Sequence, residues 1–233
     1  MKQLFFFLLV LVTTSSYSQT ADEIVNNHIK AIGGIDNWRK VNSVYSEMST
    51  DMGGMKVPVK IWQIDAKGMR VEFVVQGMTG IQVVTDKSGW SLMPFMGQTS
   101  PEPTPEEQLK AAQSQLDIKG QLIDYAQKGS TIEYIGEDVE DGVEVYKLKL
   151  TEKSGTETTY FFDKESYYIL KSSTKVKMQG QEVDAVTTYG NYKKIGDIIF
   201  PYSINGGMGN ATIEKMELNS NIDATIFDMP AKK

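Results

Sequence analysis

From Ser43 onward, apolar and polar residues alternate with a period of two, and short turn signals interrupt the alternation again and again. Successive side chains of a strand point to opposite faces, so the pattern predicts strands with one buried face. Val44, Met48 and Met52 fall on one side of the first segment, and Tyr45, Glu47 and Asp51 on the other. Val57, Val59 and Ile61 then alternate with Lys56, Pro58 and Lys60, and Met69, Val71, Phe73 and Val75 with Arg70, Glu72 and Gln76. The interruptions Gly53-Gly54, Ala66-Lys67-Gly68, Asp141-Gly142, Ser154-Gly155 and Gly196-Asp197 are only two or three residues long. A parallel connection needs about a dozen residues, so strands joined this way are antiparallel. About twelve strands fit, in one block from Ser43 to Met93 and a second from Thr131 to Leu218.

Helical spacing appears in two places. Thr20 and Glu23 form a capping box ahead of Ile24, Val25, His28, Ile29 and Ile32, and Gly33-Gly34 end the pattern; a short turn with Trp38 follows. Between the two strand blocks, Pro101, Pro103 and Pro105 mark a boundary that cannot continue a strand ladder. Thr104 caps a helical stretch with Pro105 at its first position, and Leu109, Ala112, Leu116, Leu122, Ile123 and Ala126 recur at helical spacing as far as Gly129, with a break at Gly120. No linker composition separates the blocks. Residues 19–233 therefore read as one mainly β domain: a large curled antiparallel sheet of about 11–12 strands, an N-terminal helix and a helical insertion over 104–129.

Residues 1–18 read as a signal peptide. Lys2 supplies the positive start, Leu4 to Val12 the apolar run, and Ser16-Tyr17-Ser18 the small residues a signal peptidase recognises, with cleavage after Ser18. The apolar run is less than half the roughly 20 residues that span a bilayer, so the chain is read as exported to the periplasm and not membrane-spanning.

Composition removes several chemistries. The chain has no Cys, so disulfides, zinc–cysteine sites and thiol nucleophiles are excluded. Its one histidine, His28, sits on an otherwise Ile and Val helix face, which leaves a serine nucleophile without a base and rules out a two-histidine metal site. A net charge of −6, or −7 once Lys2 is removed with the leader, provides no positive field for nucleic acid. No phosphate-binding loop, G-x-S-x-G or H-E-x-x-H is present, and the expectation is a protein without cofactor, metal or catalytic residues. Carboxylates brought together from distant strands are the one enzymatic reading that sequence leaves open.

The methionines point elsewhere. Seven of the twelve, Met48, Met52, Met55, Met69, Met78, Met93 and Met96, lie between residues 48 and 96. Met is unbranched and polarizable, so it packs around apolar partners of different shapes, although it also serves as plain core filler. A curled sheet of about twelve strands encloses more volume than its inward side chains fill. The predicted cavity lining is Met48, Met52, Val57, Val59, Ile61, Met69, Val71, Phe73, Val75, Trp90 and Met93, closed by Leu109, Leu116 and Leu122 of the insertion acting as a lid. Such a pocket suits acyl chains, since each buried methylene contributes roughly 0.8 kcal/mol.

The chain also resembles the outer-membrane lipoprotein-sorting family of LolA-, LolB- and RseB-like proteins, in the long form common in Bacteroidetes. The resemblance rests on Ala21-Asp22-Glu23-Ile24-Val25, Ala31-Ile32-Gly33-Gly34, Trp38, Tyr134-Ile135-Gly136, Val145-Tyr146-Lys147-Leu148, Tyr160-Phe161-Phe162-Asp163, Leu170-Lys171, Gly196-Asp197-Ile198-Ile199-Phe200-Pro201 and Phe227-Asp228-Met229-Pro230. It implies an incomplete antiparallel β-barrel with a helical lid, whose cavity carries lipid or lipoprotein acyl chains, with an inner-membrane exporter or outer-membrane acceptor as partners. The regulatory branch of the family implies an alternative, an envelope-stress sensor or scaffold that binds a protein partner. In the enterobacterial carrier an arginine near the start of the sheet bonds to the lid. Here Arg39 precedes the first strand and Arg70 falls on the third, so that role is assigned to neither.

Overall fold

The computed structural model describes residues 19–178, 181–207 and 209–231, without the side chains of Met52, Lys177 and Met178. The signal peptide read over residues 1–18 lies outside them. Helix α1 (Ala21–Ala31) begins as the sequence predicts: Thr20 accepts from the Glu23 amide, and the Glu23 carboxylate accepts from the Thr20 amide. Helix α2 (Ile35–Arg39) follows, then β1 (Ser43–Met52), β2 (Met55–Ile64), β3 (Gly68–Val75), β4 (Met78–Thr85), β5 (Gly89–Leu92) and β6 (Glu102–Pro103). After α3 (Glu106–Gln113) come β7 (Thr131–Glu140), β8 (Val143–Thr151), β9 (Glu157–Asp163), β10 (Ile169–Met178), β11 (Gln181–Ile195), β12 (Ile198–Gly206) and β13 (Gly209–Leu218).

All thirteen strands form one antiparallel sheet in the order β6-β5-β4-β3-β2-β1-β13-β12-β11-β10-β9-β8-β7. Each half of the chain is a meander, and the first and last strands join the halves, with Val44 opposite Leu218 and Asp51 opposite Asn210. The architecture is mainly β, an incomplete barrel with open edges at β6 and β7. It has one strand more than expected, because β6 forms within the proline stretch. Pro103 pairs with Trp90 on an edge, where a missing N–H costs no ladder bond. Pro58 and Pro201 are tolerated inside the sheet for a related reason. Pairing of β2 with β3 stops at Val59–Phe73, and pairing of β12 with β13 starts at Ser203–Thr212, so each proline has a ladder on one side only.

The two faces are covered differently. On the inner face, α1, α2 and the segment after α3 lie against the second half of the sheet, with Ile24, Val25, Ile29, Trp38, Leu122 and Ile123 packed on Leu148, Leu150, Phe162 and Ile198. Gly33 allows this approach: it has φ +114°, and a Cβ there would stand 2.2 Å from the Asp197 carbonyl oxygen. The Ile199 amide donates to the Ile32 carbonyl beside it, at 2.9 Å. On the outer face, the C-terminal segment crosses β3–β5 and buries Phe227 against Val83 and Trp90.

The insertion differs from the two helices predicted. Only α3 and a 3-10 turn over Ser114–Leu116 are helical, and the chain then runs through turns to Gly129. Gly120 and Asp124 both take positive φ, which breaks the helix, while Leu122 and Ile123 are drawn into the core beside α1. Side chains tether the segment instead: Lys119 pairs with Asp65, Lys128 with Asp117, Arg39 with Asp124, and the Tyr125 hydroxyl donates to Asp22.

Candidate functional site

Register places the predicted lining of β1–β3 on one face. Met48 faces Val59, Val59 faces Phe73, Ile61 faces Val71, and Thr50 faces Val57. Because facing residues share a side of the sheet, Met48, Val57, Val59, Ile61, Val71 and Phe73 form one patch, joined by Met69 opposite Val84 and Val75 opposite Met78. It is the inner face, since Val44 and Leu218 on the same side pack against the α1 core. Val57 is buried at 2% exposure, whereas Met48, Val59, Ile61, Met69, Val71, Phe73 and Val75 are half-buried. The inner positions of β1–β4 carry no charged side chain. Met55 and Met78 continue the patch at its hairpin end, where they are 46% and 37% exposed. Met52 lies at the end of β1, but its side chain is outside the described residues.

Other predicted residues stand elsewhere. Trp90 belongs to the opposite face: it pairs with Val83, which pairs with Arg70, and these alternate with the inner Met69 and Val84. Its Nε1–H donates to the Phe227 carbonyl at 2.9 Å and the Arg70 guanidinium lies over its ring, so it anchors the C-terminal segment and does not belong to the inner patch. Gly89, not Trp90, holds the inner position on β5, and Leu109 and Thr104 sit directly over it. Met93 leads out of β5, and its amide donates to Gln98 Oε1 at 2.6 Å. Leu116 is buried, its carbonyl accepting from the Ala66 amide at the β2–β3 turn. Leu122 packs in the core with α1 against the second half of the sheet. The three leucines therefore spread along the inner side and do not converge on one mouth.

A cavity of about 660 Å³ lies between α1, α2 and residues 122–127. Val25, Ile29, Ile35 and Leu122 form its apolar wall, but Lys30, Asp36, Arg39 and Asp124 make its rim charged, unlike the face of β1–β4. Arg39 Nη2 donates to Asp124 Oδ1 at 2.6 Å and Nε donates to Oδ2 at 3.2 Å. Hydrogen bonding from Arg39 holds the Asp124 carboxyl below its ordinary range. Sequence reading did not find this pair, because nothing local links residues 85 positions apart.

His28 is buried, with Nδ1 2.8 Å from the Tyr167 carbonyl oxygen and its ring edge-on to Phe162 at 5.2 Å. The Nδ1 therefore carries the proton that donates to this carbonyl. Burial lowers the pKa to about 4, so the ring is neutral at physiological pH. Among the described residues no group of three or more His, Asp or Glu could hold a metal, and no helix is long and apolar enough to cross a membrane.

No family model matches the chain, and no curated protein matches it in sequence. Solved structures do match in shape. A DUF1329 family protein from Desulfovibrio piger aligns over 91% of this chain and 98% of its own, with a TM-score of 0.59 at 14% identity. A LolA superfamily protein from Nitrosomonas europaea aligns over 91% and 98%, with a TM-score of 0.56 at 11% identity. The chain shares its fold with these two structures. A candidate outer membrane lipoprotein-sorting protein domain from Vibrio parahaemolyticus shares that fold over 88% of this chain and 95% of its own, with a TM-score of 0.51 at 14% identity. At such identities the LolA likeness speaks for the architecture, and the chemistry has to come from this chain's own residues.

Proposed function

We propose that this protein is a periplasmic carrier or binder of lipid or lipoprotein acyl chains, held on the inner face of β1–β4 without covalent chemistry. One observation carries the reading: Met48, Val59, Ile61, Met69, Val71 and Phe73 form an uncharged patch that the protein's own elements cover only in part. An acyl chain laid on that patch gains roughly 0.8 kcal/mol for each methylene removed from water, and the methionines adjust to its shape. Residues 1–18 act as the export signal, removed after Ser18, and an inner-membrane exporter or outer-membrane acceptor exchanges the cargo.

Gating belongs to the insertion, residues 104–129. Leu109 over Gly89 covers the β5 side of the patch, while the Arg39–Asp124 pair holds the far part of the segment. Arg39 is exposed and its pair is a weak constraint, but Leu122 and Ile123 are buried beside α1, so the part that opens is the stretch carrying Leu109. The test is titration with an uncharged pyrene-labelled acyl ester, using wild type and Ile61→Asp. Wild type should bind, and the variant should bind more than about tenfold more weakly, because a buried carboxylate displaces apolar contact. Absence of binding by wild type, or equal binding by the folded variant, would remove the reading.

A further inference from the structure

The inner face changes character across the sheet. A single ladder row, Val57–Thr50–Ala211–Ile204–Tyr189, leads from the apolar patch on β2 to β11. There hydroxyls replace the aliphatic side chains. Tyr160 faces Ser172, and Thr158 faces Thr174, on the same side of the sheet as Leu148 of the core. Ser172 Oγ and the Tyr189 hydroxyl lie 3.1 Å apart, and the Thr158 and Thr174 hydroxyls 3.0 Å apart. Thr158 and Ser172 are each only 5% exposed.

Each hydroxyl supplies one donor and two acceptor sites. Each pair uses one O–H, so one proton of each pair has no acceptor, and among the described residues the Tyr160 hydroxyl makes no hydrogen bond at all. Three O–H donors thus lack a protein acceptor among the described residues. The inner positions of β9–β11 beside them hold Phe162, Val176, Ala185 and Thr187, and none of these carries a charge. Burial pushes the Tyr160 phenol well above its ordinary pKa, so it stays a donor.

We infer that this hydroxyl patch binds the uncharged ester or amide carbonyls at the head of the acyl ligand, and selects against carboxylate and phosphate heads. Carbonyl oxygens accept the three free donors. An anionic head would also accept them, but it would lie without a cation and within the field of the Glu152 carboxylate, where an unpaired charge is costly. The inference rests on the acyl-binding reading above and adds the class of head group.

The experiment compares three ligands of one chain length below their micellar concentrations: a monoacylglycerol, the free fatty acid and the lysophosphatidic acid. Each is titrated into wild type, Tyr160→Phe, Ser172→Ala and the double variant, with thermal melts to verify folding. Wild type should prefer the monoacylglycerol by at least about tenfold. Each single variant should lose about fivefold of monoacylglycerol affinity, the equivalent of one neutral hydrogen bond, while a plain alkyl probe binds all four proteins alike. If the three ligands bind wild type within about twofold, or the double variant keeps the preference, head-group selection at this patch is wrong and acyl binding stands. If none of the ligands nor the alkyl probe binds, acyl binding itself falls and takes this inference with it.

Discussion

Gly68 and Phe227 should be strongly coupled in stability. A Cβ on Gly68 would stand 2.9 Å from Phe227 Cδ2, 3.0 Å from Cγ and 3.1 Å from Cε2, distances at which the ring has to move. The ring has little room: Phe227 is 6% exposed, packed on Val83 and Trp90, with its carbonyl fixed by Trp90 Nε1–H and the Ile226 carbonyl by Arg70. Gly68→Ala alone should therefore cost about 1–3 kcal/mol through overpacking. Phe227→Ala alone should cost about 3–5 kcal/mol through lost burial and the cavity left behind. Together they should cost less than their sum, because the new methyl enters the space the ring has vacated and its clash with Phe227 is gone. The interaction energy should be about 1–3 kcal/mol in the favourable direction. Urea unfolding followed by tryptophan fluorescence measures all four corners of the cycle. Equal costs of Gly68→Ala in the two backgrounds would show that the ring does not occupy this seat.

Three further outcomes follow from the geometry. His28 has a folded pKa of about 4 against 6.5 for the free group, so the unfolded chain binds more protons between those values; stability should fall as pH drops from 6.5 through 4, by about 3 kcal/mol in all, and His28→Gln should flatten that part of a stability–pH curve. Arg39→Ala should leave global stability almost unchanged yet speed amide hydrogen exchange around Asp124, and unchanged exchange there would mean that the ion pair does not hold this turn. Gly33→Ala should be severely destabilising, because its Cβ would meet the Asp197 carbonyl oxygen at 2.2 Å in a backbone conformation that disfavours alanine; a thermal melt within a degree of wild type would contradict that packing.

Much of the fold was legible because local patterns and global structure agree. The period-two segments became strands, the Thr20–Glu23 box capped α1, and the alternation of Val57, Val59 and Ile61 placed them on one face. Trp90 misled because β5 is only four residues long, so alternation there cannot tell Trp90 from its neighbours, and the outer seat was set by Phe227 from the far end of the chain. The insertion misled because Leu122 and Ile123 have helical spacing but are held by core contacts with α1 through a backbone broken at Gly120 and Asp124. The β1–β13 junction, the Arg39–Asp124 pair and the inner hydroxyls depend on residues far apart in sequence, and no local signal reports them.

Photo-crosslinking tests acyl binding on the inner face most directly. A monoacylglycerol with a diazirine midway along its chain would be bound, irradiated, and its adducts mapped by peptide mass spectrometry. Adducts on Met48, Val59, Ile61 or Val71, competed away by unlabelled monoacylglycerol, are the predicted result. Adducts confined to the cavity between α1 and residues 122–127, or no competable adduct anywhere, would contradict acyl binding on β1–β4.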